Sequence, residues 1–252
     1  MITTSVRVTE TPLVRFLLAR ADDALILGHR LSEWTGHAPI LEEELALANI
    51  ALDLIGQARA LYDLAAEAEA AGHTQDDFAY RRDVQDFRCL LLAEQPRGDF
   101  AFTIARQCLY AAAQEHWLAQ AMRSTHAGLA AVAAKAAKEN AYHLRHSAEW
   151  LIRLGDGTEE SHRRAQHAID TLWPYTGEMF APEDPSLEGL APKPDRTAWL
   201  AALAPILARA TLAQPKDGWM QTGGRQGRHS EHLGHLLAEL QHIARSHPGA
   251  TW

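Results

Sequence analysis

The sequence is poor in cysteine: Cys89 and Cys108 are the two thiols among 252 residues, at a spacing that fits neither a metal knuckle nor a disulfide framework. That argues against a disulfide-stapled secreted module and for a reducing, cytoplasmic setting. A block of positive charge is also missing. Lys and Arg total 24 against 32 Asp and Glu, a formal net charge of −8, which argues against nucleic acid or an anionic membrane as the main partner. No apolar run approaches a membrane span, and the opening "MITTSVRVTE" lacks the basic-then-apolar order of a signal peptide. β-branched runs with two-residue alternation are absent, so a sheet is not expected. Nucleophile motifs such as Gly-x-Ser-x-Gly are absent as well.

What is present is alanine and leucine at helical spacing. A first helix is expected from Pro12, tolerated in a first turn, to about Trp34. A second runs from Leu41 to about Ala71, with Gly72 ending it. Residues 72–98 are less regular. Asp99 can N-cap a third helix reaching about Thr125, and a fourth spans about Leu129 to Leu154. Thr158 caps a fifth, which Pro174 should kink or shorten. The proline-rich "APEDPSLEGLAPKPD" follows, then helices at about 196–212 and 229–246 separated by the glycine-rich "KDGWMQTGGRQG". Two long hairpins joined by a long crossing connector predict an all-α, ferritin-like four-helix bundle. The expectation is one domain over 1–252, with the core bundle at about 12–154 and a helical extension at about 158–252.

Such bundles can hold two irons with one Glu on each of two helices and Glu-x-x-His on each of the others. Here "KENAYHLRHSAEW" offers Glu139, but Tyr142 stands three residues on and His143 comes one place late. On the second helix Asp53 is followed by Gly56, which has nothing to coordinate with. Glu115 is the mid-helix acid of the third helix, and the first carries Asp22, Asp23 and Glu33. The sites read as degenerate metal positions. The stripe Ala137, Ala141, Leu144, Ala148 and Leu151 is expected to face the core, with Glu139, His143 and His146 on its flank. The plainer reading is polar residues at a packed border, bonded to one another or to another subunit.

Other strings are weaker. Glu159 and His162 open the fifth helix, where acids are usually solvated. His232, His235, Glu239 and His242 share a face of the last helix and could ligate zinc or iron, although 14 histidines make such alignments easy. "TGGRQGR" could form a backbone nest for an anion but reads more simply as a turn. Asn49, Asp53 and Gln57 form a polar stripe that needs partners inside a bundle.

Several strings are particular enough to carry a resemblance: "LGHRLSEWTGHAPILEEELALANIALDLIGQARAL", "LLLAEQPRGDFAFTIARQ", "KENAYHLRH", "RLGDGTEES" and "TGGRQGRHSEHLGHLLAELQ". From about residue 20 to the C-terminus the chain resembles the C subunits of ring-1,2-phenylacetyl-CoA epoxidase, the phenylacetate-CoA oxygenase. The resemblance implies a non-catalytic structural subunit of a bacterial multicomponent monooxygenase in phenylacetate catabolism. Its implied partners are a ferritin-like catalytic A subunit with the di-iron centre, a small bridging B subunit, and a reductase with flavin, iron–sulfur and NADPH. Phenylacetyl-CoA binds at the complex. No catalytic or metal residue carries over to this chain. The resemblance points to Asp86, Phe87, Arg88 and Cys89 as residues bordering the acyl-CoA, with Cys89 where Asn is usual. A second reading from the residues alone is a free-standing metal-binding oxidoreductase or hydrolase; a third is a homodimeric scaffold.

Overall fold

Helix starts are set by side chains that accept the free first-turn N–H groups. In the computed structural model, which describes residues 5–248 and 250, α1 (Pro12–Ser32) begins where Thr11 Oγ1 accepts from the Val14 N–H at 3.2 Å. α5 (Phe100–Ala121) begins at Asp99, whose carboxylate accepts from Phe102 N–H at 2.9 Å. A Thr158 capping box starts α7 (Glu159–Leu172), with Ser161 as its second half. The remaining helices are α2 (Leu41–Glu69), α3 (Gln75–Tyr80), α4 (Leu91–Glu94), α6 (Ala127–Gly155), α8 (Arg196–Arg209), α9 (Glu231–Leu240) and α10 (His242–Ser246). Residues 1–4, part of the opening stretch that lacks a signal-peptide pattern, lie outside the described residues, as do 249, 251 and 252.

Three ends depart from expectation. α2 stops before Gly72, because Ala70 takes the left-handed conformation at φ 56°. α6 starts at His126, whose Nδ1 accepts from Leu129 N–H at 3.1 Å, a cap that composition rules do not anticipate. The last helix breaks at Gln241 into α9 and α10. Pro174 acts as expected: α7 ends at Leu172 and a 3₁₀ turn follows.

The helices pack as two antiparallel hairpins, α1–α2 and α5–α6, which meet along α2 and α6. This is the all-α bundle of a ferritin-like fold, and no strand occurs among the described residues. α7 and α8 lie against the α5–α6 hairpin, and the core runs continuously from Val14 to Leu237. α1 is the central helix. It is buried nearly all round, with Arg20, Asp22, Asp23 and Arg30 sealed beside its leucines. No described helix is long and apolar enough to cross a membrane.

Candidate functional site

Of the degenerate metal positions, Asp53 and His143 meet on the seam between α2 and α6. Asp53 Oδ2 and His143 Nε2 are 3.0 Å apart, and Glu43 Oε2 and His146 Nε2 are 2.8 Å apart. Each of these two acids on α2 is therefore met by an imidazole on α6. Burial lowers the His143 pKa below its ordinary value, outweighing the hydrogen bond and charge of Asp53. Glu139 pairs with Lys135 at 3.4 Å, and burial followed by the Asp53 charge raises its pKa. Tyr142 is exposed and stacks on His146, while a Cβ at Gly56 would meet open space. Glu115 is exposed on α5. These donors do not converge, and the set does not fit a di-iron centre.

The expected α6 stripe is displaced. Ala148 and Leu151 are buried, but Ala141 is exposed and Ala137 and Leu144 are half-buried. Asn140, His143 and Ser147 take the buried seam instead. The reason is local satisfaction. Ser147 Oγ donates to His143 O at 2.7 Å, and Asn140 Nδ2 donates to Ala111 O at 3.0 Å, so burial leaves those donors paired. Asn49 faces solvent while Asp53 and Gln57 are half-buried, so the polar stripe on α2 runs from the surface into the seam, where Asp53 finds its partner in His143.

The histidines of the C-terminal helices do not assemble either. His235, Glu239 and His242 are exposed, and the break at Gln241 interrupts their shared face. His162 is not merely solvated, because its Nδ1 lies 2.7 Å from Gly155 O at the end of α6.

Sequence reasoning missed a denser cluster under the C-terminal segment. Asp22 accepts from Tyr62 Oη at 2.6 Å, from the Arg88 N–H at 2.7 Å and from both Arg82 terminal nitrogens. Asp23 accepts from Leu90 N–H at 2.7 Å and from Arg225 at 2.8 and 2.7 Å. Glu178 accepts from the N–H groups of Gly223, Arg225 and Leu91 at 3.0, 3.0 and 3.2 Å. "TGGRQGR" is thus an anion nest after all, and its anion is the chain's own Glu178. Glycine is required at 224, where a Cβ would sit 2.1 Å from Cys89 O. The available signal was the run of acids on α1, whose partners lie far away in sequence.

Of the four residues suggested as bordering an acyl-CoA, Phe87 and Cys89 are fully buried. Asp86 accepts from Ser5 Oγ at 2.7 Å, and Arg88 pairs with Glu10 at 2.7 Å. Only Asp86 and Arg88 of this set bring polar groups to the partly exposed surface.

Cys89, Glu94 and His229 also come together. His229 Nδ1 lies 2.7 Å from Glu94 Oε2 and 3.9 Å from Cys89 Sγ, and its Nε2 lies 3.0 Å from Phe87 O. Burial works against a charged imidazole there, but the bonds to Glu94 and Phe87 O prevail and its pKa is raised. Burial, followed by the Glu94 charge, pushes the Cys89 thiol well above its ordinary value. It is no nucleophile in this state.

Comparison with known proteins places these features. Residues 2–252 match the family described as "Phenylacetic acid catabolic protein". The chain is 46% identical over 246 residues to the C subunit of 1,2-phenylacetyl-CoA epoxidase from Escherichia coli (strain K12), covering 95% of this chain and 99% of that protein. The chain belongs to the phenylacetic acid catabolic protein family.

Proposed function

We propose that this chain is a structural, non-catalytic subunit of a phenylacetyl-CoA epoxidase, supporting a catalytic partner that carries the di-iron centre. The name of the E. coli relative supports membership in such a complex. The observation that carries the supporting role is the outer face of α2. Leu41, Leu45 and Leu52 are 67%, 56% and 66% exposed, at helical spacing beside the exposed Ile40. Such a face on a helix whose opposite side builds the core calls for a protein partner. A lasting complex requires an interface of roughly 2,000 Å² or more.

The metal chemistry then belongs to the partner, together with a small bridging subunit and a flavin, iron–sulfur and NADPH reductase. On this side, His143 and His146 meet the acids of α2 with imidazoles rather than iron. A rigid neighbour of this kind can hold the partner's ligand helices in place. Contact of the acyl-CoA with Asp86 and Arg88 is part of the same proposal.

The test is co-expression with the di-iron subunit and purification of the complex. Leu45→Lys combined with Leu52→Lys should abolish co-purification and epoxidation while leaving the helical circular dichroism of the chain unchanged. An undiminished complex in that double variant, or epoxidation by the chain alone, would overturn the reading.

A further inference from the structure

We propose that Cys89, Glu94 and His229 form a binding site for one thiophilic divalent cation of the zinc class, pinning the C-terminal segment to the connector. Among the described residues these donors lie within 4.8 Å of one another. The side chains of Glu94 and His229 are fully shielded from solvent, and so is Cys89.

The orientation of each donor supports a ligand role. Metal-binding imidazoles commonly present one nitrogen to the ion and donate the other N–H to a backbone carbonyl or carboxylate. His229 does this: Nε2 reaches Phe87 O at 3.0 Å, leaving Nδ1 to face the cluster. Glu94 is held in the same way. Its Oε1 accepts from Ser230 N–H at 2.7 Å, so Oε2 is the oxygen turned inward. Cys89 completes the set from the connector that precedes α4, with Sγ 3.9 Å from Nδ1. Nδ1, Oε2 and Sγ converge, and each of the first two has its other polar atom already engaged.

Charge balance suits a divalent ion. A carboxylate, a thiolate and a neutral imidazole together carry two negative charges, which one divalent cation offsets, so the loaded buried group is neutral as a low-dielectric site requires. The surrounding charges are themselves paired, Asp22 with Arg82 and Asp23 with Arg225. Neither acid is free to compete for the ion.

The donor chemistry selects the metal. Thiolate and imidazole suit zinc, while magnesium and calcium take oxygen donors. Tetrahedral bonds of about 2.0–2.3 Å hold ligand atoms roughly 3.3–3.6 Å apart. The 2.7 Å pair therefore opens and the 3.9 Å pair draws in slightly on loading. A water can take the remaining position, reached from the half-buried backbone of His229 and Ser230.

The experiment uses the full chain, stripped with a chelator and titrated with Co²⁺. One cobalt per chain is expected, with a near-ultraviolet thiolate-to-cobalt charge-transfer band that Zn²⁺ abolishes. Cys89→Ser should remove the band. Glu94→Gln should keep it but weaken binding by more than the roughly 10–100-fold that loss of an outer-shell partner costs. His235→Ala, on the exposed face of α9, should change neither. Absence of the band in the parent chain would overturn the site. So would an identical titration in Glu94→Gln, which keeps the test decisive even if Cys89→Ser fails to fold.

Discussion

The acids and bases between α2 and α6 are the same kinds of group as those beneath the C-terminal segment, at similar separations. Their surroundings differ. The Asp53 side chain is 35% exposed, whereas Asp22 and Arg82 are sealed completely. At the seam Asp53 keeps its contact with water, so its pair with His143 adds little. Under the C-terminal segment no water replaces a lost partner, so every member depends on the others. The seam pairs are adjustments at a border. The buried network joins α1, the connector and residues 223–230 into one unit, although Asp23 and Arg225 are 202 positions apart in sequence.

If that contrast is right, the largest effect follows from removing Arg225. Arg225→Met leaves buried Asp23 with only its longer 3.8 Å ion pair to Arg20 in place of two hydrogen bonds from Arg225, which costs about 3–5 kcal/mol. Thermal melting should fall by about 6–10 °C for a chain of this size. Limited proteolysis should open first near residues 213–228. An unchanged melting temperature would show that the network is no stronger than the seam. Gly224→Ala comes next. Its methyl group would sit 2.1 Å from the Cys89 carbonyl, which cannot rotate away as a side chain could. Overpacking of this kind costs about 1–3 kcal/mol, read as a shift in the urea midpoint at constant slope.

The helices were legible because their signals are local. Pro12, Asp99 and Thr158 act within one turn, and the hairpin lengths followed from them. The α6 face was misjudged because alanine carries little information about burial. Asn140 and Ser147 can go inside by bonding to nearby carbonyls, and Ala141 can stay outside at little cost. The α2–α6 pairs were half legible: Asp53 and His143 stood out on their own helices, but their pairing needed the fold. The buried cluster left almost no local trace. Glu94 and His229 are separated by 135 positions, Asp23 and Arg225 by still more, and no spacing rule connects them.

The smaller effects belong to the seam. Asp53→Asn removes the charge from a pair with one partner about a third exposed, and should cost under about 1 kcal/mol. A loss approaching that for Arg225→Met would erase the distinction between the regions.

The subtlest effect is the pH response of His143, whose folded pKa lies below the ordinary 6.5 because burial outweighs Asp53, while His146 adds a further lowering influence. As pH falls through about 6.5, the unfolded chain takes up a proton there before the folded chain does. The stability contributed by neutral His143 is therefore complete above that pH and is lost as pH drops through the folded value. The slope from this group cannot exceed about 1.4 kcal/mol per pH unit. His143→Gln can still bond to Asp53 but cannot titrate, so urea unfolding on either side of about pH 6.5 should show a flatter pH dependence in the variant. An equal slope in both proteins would mean that His143 keeps an ordinary pKa, and that the seam is wetter than its buried imidazole implies.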